Sequence, residues 1–179
     1  MQDYTEKCLD TQEIYTGRII RVHCDRVLLP NGREGMREIV EHPGGVGILA
    51  LDDQGRVALV RQYRYAMGRH MWEIPAGKRE AGEEPFLTAR RELAEEIGAQ
   101  AGTWTELGRL IASPGCYNEV LHLYMAAGLT FGPRHLDEDE FLEVAFFPAG
   151  EVVEKCLSGQ LQDGKTVAAV LRARVQGLL

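Results

Sequence analysis

The spacing of apolar and polar residues changes period several times along the chain, and the changes mark its elements. Between about Glu13 and Glu41 the runs EIYTG, RIIRVHCDRVLL and REGMREIVEH read as strands, with Val22, Cys24 and Val27 partly alternating. Pro30-Asn31-Gly32 supplies a hairpin turn between the last two. Pro43-Gly44-Gly45 ends this stretch. VGILALDD and RVALVRQYRYA, joined at Gln54-Gly55, are predicted to pair as a second hairpin of central strands. MWEIPAG leads into a segment of helical period, where Phe86, Ala89, Leu93 and Ile97 form an apolar stripe. Pro85 suits the first turn of that helix and Gly98 its end. WTELGRLIA and EVLHLYMAA, separated by SPGCYNE, are two further strands, and FLEVAFFP is the last. EVVEKCLSG and the segment from Thr166 to Leu179, with Val167, Val170, Leu171 and Val175 in register, close the chain as helices. Strands around one central helix, with helices at the end, predict an α/β fold with a mixed sheet layered by helices. The expected organisation is an N-terminal antiparallel strand region, residues 1–43, followed by a domain over 44–179.

Composition adds limits to this outline. A chain of 179 residues with 45% hydrophobic content can bury one real core. The formal net charge of −7 argues against nucleic acid or an anionic membrane as the main partner, while leaving room for a local phosphate pocket. No apolar run is long enough to span a bilayer and MQDYTEKCLD lacks the features of a signal peptide, so the cytoplasm is the expected compartment. There the four scattered cysteines are expected to be free thiols.

The chemistry concentrates in GKREAGEEPFLTARRELAEEIGA, residues 77–99. At about 100° per residue, Glu95 and Glu96 fall about 60° and about 40° to either side of Glu92, so the three carboxylates share one face. Each close pair repels by roughly 1 kcal/mol in water and about 4 kcal/mol in a partly dehydrated site, so a positive charge is expected among them. Oxygen donors alone suit magnesium, a hard cation that keeps several waters and takes the rest of its shell from carboxylates and phosphates. Zinc is disfavoured because no histidines or cysteines stand at ligand spacing, and no Asp-rich loop of EF-hand type is present.

Gly77, five residues, Glu83, seven residues and then Arg91-Glu92-Leu93-x-Glu95-Glu96-x-Gly98-Ala99 is similar to the box that names the Nudix hydrolases. Ala99 departs from the pattern, where a larger aliphatic is usual. Chance agreement at this many positions is on the order of one in a million for a chain of this length. The resemblance implies an α/β/α sandwich, a divalent metal (Mg2+, with Mn2+ as a possible substitute) and a substrate with a diphosphate linked to a further group. RQYRYAMGRHMWEIPAGK, SPGCYNE and DEDEFLEV also resemble the ADP-ribose pyrophosphatase branch, and Pro114 stands fifteen residues beyond Ala99, as a proline does there. Tyr117, eighteen beyond, is a residue more typical of diadenosine-polyphosphate hydrolases.

As the resemblance implies roles, Glu92 and Glu96 are the expected principal metal ligands, joined by Glu95 and the Ala76 carbonyl. Glu95 and Glu96 are also counted with the catalytic groups. Glu83 either pairs with Arg91 to hold the box together or reaches the metal through water. Gly77, Glu83, Arg91 and Gly98 are expected to be structural. A general base from a loop distant in sequence serves the branch, and the acidic run 137–140 lies where that loop should be. Glu140 is the expected base, then Glu138, then Glu143. Arg64 aligns with a phosphate-contacting arginine, and Arg61 falls on the opposite face of its strand by period two. Arg37 and Glu119 are further candidates for substrate contact. An aromatic is expected to stack on the base; Tyr15 is conceivable, although a place in the core suits it better.

The implied activity is hydrolysis of ADP-ribose or a related nucleotide sugar to AMP and ribose 5-phosphate. A nucleoside triphosphate pyrophosphohydrolase is the competing enzyme class, and a Nudix-fold regulator that binds a nucleotide sugar without cleaving it is the competing non-enzyme. The retained glutamates of the box favour catalysis. Relatives in the branch use the region before Gly44 to form dimers, so the resemblance also implies a homodimer.

Overall fold

A computed structural model describes residues 1–136 and 140–179. It divides into two compact units, Met1–Gly44 with Ile111–Val120, and Gly45–Leu110 with Leu121–Leu179. Two long strands, β8 (Ala99–Ser113) and β9 (Tyr117–Phe131), contribute residues to both.

In the first unit β1 (Lys7–Thr16), β2 (Arg21–Leu28) and β3 (Glu34–Glu41) form an antiparallel meander. The β2–β3 hairpin runs in unbroken register from Arg21↔Glu41 to Leu28↔Glu34. Its turn closes with Gly32 N–H on the Leu29 carbonyl at 2.9 Å, and Gly32 takes φ 80°, a conformation that costs a residue with a Cβ. Strand β3 meets the start of β9 in parallel at Val40↔Tyr117. Strand β1 is exposed along its whole length, starts earlier than the EIYTG run suggests, and carries two irregularities in its pairing with β2.

In the second unit β4 (Gly45–Ala50) is buried throughout, parallel to β9 and antiparallel to the short β7 (Ala76–Lys78). Strand β5 (Arg56–Arg64) lies between β6 (Arg69–Glu73) and β10 (Leu142–Pro148) in a separate three-stranded sheet. The expected β4–β5 hairpin is therefore only a turn: one bridge, Leu51↔Val57, joins strands that belong to different sheets. Both strands are apolar on two faces, so sequence pattern could not say which neighbour each would take.

Period two explains the layering. Val46, Ile48, Ala58 and Val60 turn to one apolar cluster with Ala89, Leu93 and Ile97 of α1 (Pro85–Ile97). Leu49, Val57 and Leu59 turn to another with Val152 of α2 (Ala149–Leu157) and Ala169, Val170 and Ala173 of α3 (Gly164–Val175). The unit is thus an α/β/α arrangement with strands covered on both faces. Helix α1 begins with Pro85 at its first turn and ends at Gly98, whose φ of 66° turns the chain out. Two positions depart from the expected apolar stripes. Phe86 is half-exposed, meeting Trp104 and Tyr124 at ring-centroid distances of 5.3 and 5.9 Å, and Val175 at the end of α3 faces solvent. Among the described residues no helix is long and apolar enough to cross a membrane.

Candidate active site

Packing of α1 on the sheet decides how its carboxylates sit. The helix buries Thr88, Ala89, Glu92, Leu93, Glu96 and Ile97, so Glu92 and Glu96 lie on the packed side and not on a separate solvated face. Glu96 is 2% exposed and accepts a hydrogen bond from the Ala76 N–H at 2.9 Å, which ties the helix to β7. Glu92 presses against the same strand at Gly77: a Cβ there would fall 1.8 Å from the Glu92 carboxyl carbon. Only glycine leaves that space.

Arg91 is the cation among these groups. Its Nη1 donates to Glu92 and to Glu95, each at 2.8 Å, and its Nε and Nη2 donate to the two Glu83 oxygens at 3.2 Å. Nη2 also reaches the Lys78 carbonyl at 3.2 Å. The loop that carries Glu83 is held in turn by Arg79, which donates to the Glu83 carbonyl at 3.0 and 2.6 Å. Hydrogen bonding to Arg91 lowers the Glu83 carboxyl to about 2. The surrounding carboxylates raise the Arg91 guanidinium against the opposing effect of burial.

Burial has the opposite consequence for the two packed glutamates. It raises Glu92 to about 7 despite Arg91, with the charges of Glu95 and Glu140 adding to the rise. It raises Glu96 to about 8, helped by Glu92 and Glu140 and opposed by the Ala76 N–H and Lys165. Glu140 is therefore electrostatically coupled to both, whereas Glu138 lies outside the described residues. Glu143 is exposed and pairs with Arg61 at 3.2 Å.

Among the described residues no three His, Cys, Asp or Glu side chains are already gathered as a metal cage. The donor chemistry nevertheless fits a hard divalent cation, because Glu92, Glu95 and Glu96 offer carboxylate oxygens on one helix face. Arg91 holds two of these three in the arrangement seen, so a cation would take over part of its charge compensation.

The remaining candidates are distributed over other contacts. Arg64 grips Glu73 through Nε at 2.8 Å and Nη2 at 2.6 Å. In the first unit Arg37 pairs with Glu6, and Glu119 lies 3.3 Å from His42 Nδ1. Tyr15 is exposed rather than a core residue, its ring lying over Gly17. Sequence reasoning assigned nothing to Glu73 and Lys165, which form a buried ion pair at 2.5 Å. A lysine at the first turn of an apolar helix gave no periodic signal of burial; only its DGKT setting, an N-cap aspartate and a β-branched residue beside it, marked the place.

Comparison with known proteins gives the family. The chain belongs to the NUDIX domain family, whose model matches residues 41–172. A second model, the nucleoside diphosphate sugar hydrolase N-terminal domain, matches residues 6–40. A protein described as an ADP-ribose pyrophosphatase, from Bacillus subtilis, is 40% identical over 95% of this chain and 93% of its own. A methanol dehydrogenase activator from Bacillus methanolicus is 39% identical over 98% of this chain and 96% of its own. The crystal structure of an ADP compounds hydrolase matches the fold with a TM-score of 0.86 over 100% of both chains at 21% identity.

Two outcomes are expected. Gly77→Ala should fold with a stability loss of about 1 kcal/mol, because the flexible Glu92 carboxylate can move aside, but should lower kcat/KM about 10- to 100-fold by displacing it; unchanged turnover would contradict the packing role of Gly77. In the metal-free protein the raised carboxyls of Glu92 and Glu96 stabilise the fold below about 4.5 and lose that contribution as pH rises through about 7 and 8. Melting curves in chelator should therefore show wild type falling relative to Glu96→Gln by at least ~5 °C between about pH 5.5 and about pH 8.5. Parallel curves would refute the buried-carboxyl account.

Proposed function

We propose that this Nudix hydrolase splits the diphosphate of ADP-ribose, releasing AMP and ribose 5-phosphate, or that of a related nucleotide sugar. The observation that carries the reading is the acidic face of α1, with Glu92 and Glu95 held by Arg91 and Glu96 buried beside them on the Ala76 N–H. Relatives described as ADP-ribose pyrophosphatases, alike over nearly the whole chain, supply the substrate class. Every glutamate of the box is present, which favours an enzyme over a binding-only regulator.

The roles follow from the groups' positions and chemistry. Glu92, Glu95 and Glu96, with the Ala76 carbonyl, are the ligands we assign to Mg2+, for which Mn2+ would substitute. When bound, such a cation offsets phosphate charge and makes a coordinated water a nucleophile near neutral pH. Glu140 is the base we assign, since it is coupled to Glu92 and Glu96 without being one of the ligands. Arg64 supplies donors to the diphosphate. Arg91 and Glu83 keep the carboxylates and their loop in place, while Arg37 and Glu119 remain the residues assigned to substrate contact by the resemblance. The compartment we propose is the cytoplasm, where the free Cys8, Cys24, Cys116 and Cys156 would stay reduced.

The same reading includes a homodimer. Among the described residues strand β1 pairs only with β2, and it leaves Leu9, Ile14 and Tyr15 exposed, an edge of the kind that invites a second chain. Sedimentation equilibrium should give about twice 20.0 kDa for wild type, and Ile14→Glu with Tyr15→Glu should give the monomer mass. A wild-type monomer at micromolar concentration rules the dimer out.

A substrate panel with Mg2+ tests the activity: AMP from ADP-ribose is expected, whereas pyrophosphate from a nucleoside triphosphate as the preferred reaction would support the competing class. Glu96→Gln should lower kcat by about three orders of magnitude or more with the fold intact. Glu140→Gln should lower kcat about 100-fold or more with metal affinity nearly unchanged. Near-wild-type turnover in either would remove the role assigned to it.

A further inference from the structure

Outside the acidic face, the described residues of the second unit hold a buried ion pair, Glu73 with Lys165, to which the reaction as described gives no role. Glu73 is 2% exposed and accepts from Arg64 through both oxygens. Lys165 Nζ donates to Glu73 Oε2 at 2.5 Å and lies 3.0 Å from Asp163 Oδ1. Asp163 also caps α3, accepting from the Thr166 N–H at 3.0 Å, and the Thr166 hydroxyl accepts from the Ile74 N–H at 2.9 Å. Ile74, the residue after Glu73, is thus pinned to α3, and two residues further on Ala76 is pinned to Glu96.

The edge of Arg64 that Glu73 occupies matters. A guanidinium offers a side edge, Nε with Nη2, and an end, Nη1 with the second Nη2 hydrogen. Glu73 takes the side edge, and among the described residues Nη1 makes no hydrogen bond. The Arg64 side chain is 40% exposed and lines an open cleft of about 440 Å³ with Met67, Arg69 and Lys165. Arg64 and Lys165 are also close enough to Glu96 for their charges to be felt there. A carboxylate paired with Arg64 alone would largely cancel its charge for an incoming anion. With Lys165 on the second oxygen, the Glu73 charge is shared between two cations and Arg64 keeps part of its own.

We propose that Glu73 and Lys165 are positioning residues for the diphosphate, Glu73 clamping Arg64 by its side edge so that the free end of the fork meets a phosphate oxygen pair, and Lys165 holding Glu73 in that pose. The inference deepens the proposed function and rests on it. A plain structural tie between β6 and α3 would use the same contacts, so the test must separate the two.

The experiment is a double-mutant cycle with ADP-ribose and Mg2+ on Glu73→Gln, Arg64→Ala and the double variant, with melting temperatures measured alongside. If Glu73 acts through Arg64, each single change lowers kcat/KM about tenfold or more, mainly through KM, and the double variant is no worse than Arg64→Ala. Arg64→Lys, which keeps the charge and loses the fork, should be as poor as Arg64→Ala. Multiplying losses in the double variant, or a Glu73→Gln enzyme with wild-type KM, would overturn the inference. Should Glu73→Gln unfold, the same cycle with Glu73→Asp, which keeps the charge and withdraws the reach, gives the same two outcomes. A wild type that cleaves no nucleotide sugar overturns the proposed function and this inference together; an active wild type with an additive cycle overturns the inference alone.

Discussion

Four carboxylates meet at one guanidinium or close to it, and the architecture around them follows from that constraint. Glu83, Glu92 and Glu95 all accept from Arg91, and Glu96 is buried beside them. At a separation of about 4 Å each unscreened pair would cost about 4 kcal/mol in a partly dehydrated setting, more than one helix can absorb without compensation. The chain answers in three ways: Arg91 places a cation at the centre, the Ala76 N–H takes one Glu96 oxygen, and burial raises Glu92 and Glu96 toward neutral pH. Each device also leaves carboxylate oxygens that a stronger cation could claim.

The sheet holds the arrangement still. Because β4 and β5 are apolar on both faces, the strands of the two sheets seat α1 on one side and α2 and α3 on the other. The segment 73–77 crosses between these layers, with Glu73 and Ile74 bonded to the α3 end and Ala76 and Gly77 set against α1. A displacement at the first turn of α3 is thereby felt within a few residues of Glu96. This gives a physical reason for a buried ion pair far from the acidic face in sequence, where an apolar pair of similar volume would be the cheaper core.

Much of this was legible in the sequence because it is local. The helix from Pro85 to Gly98, the shared face of Glu92, Glu95 and Glu96, and the Asn31-Gly32 hairpin all follow from spacing within a dozen residues. What escaped depends on partners far along the chain. The run RVALVRQYRYA reads as the mate of VGILALDD, yet β5 pairs with β6 and β10, since apolar strands carry no label for their neighbours. Glu92 and Glu96 read as part of a face apart from the apolar stripe, yet both are buried, set against Ala76 and Gly77 of β7. Lys165 lies 92 residues from its Glu73 partner, beyond any pattern read in a window. The branch-level resemblance named Arg64, but the carboxylate that aims it appeared only in three dimensions.

The central claim is that the face of α1 around Arg91 is a divalent-metal site and not merely a satisfied acidic cluster. Manganese titration followed by electron paramagnetic resonance, at neutral pH and without substrate, tests it most directly. The account predicts that the free-ion signal is suppressed by stoichiometric binding in the wild-type protein and restored in Glu92→Gln. Equal binding in the two proteins, or none in the wild type, would contradict it.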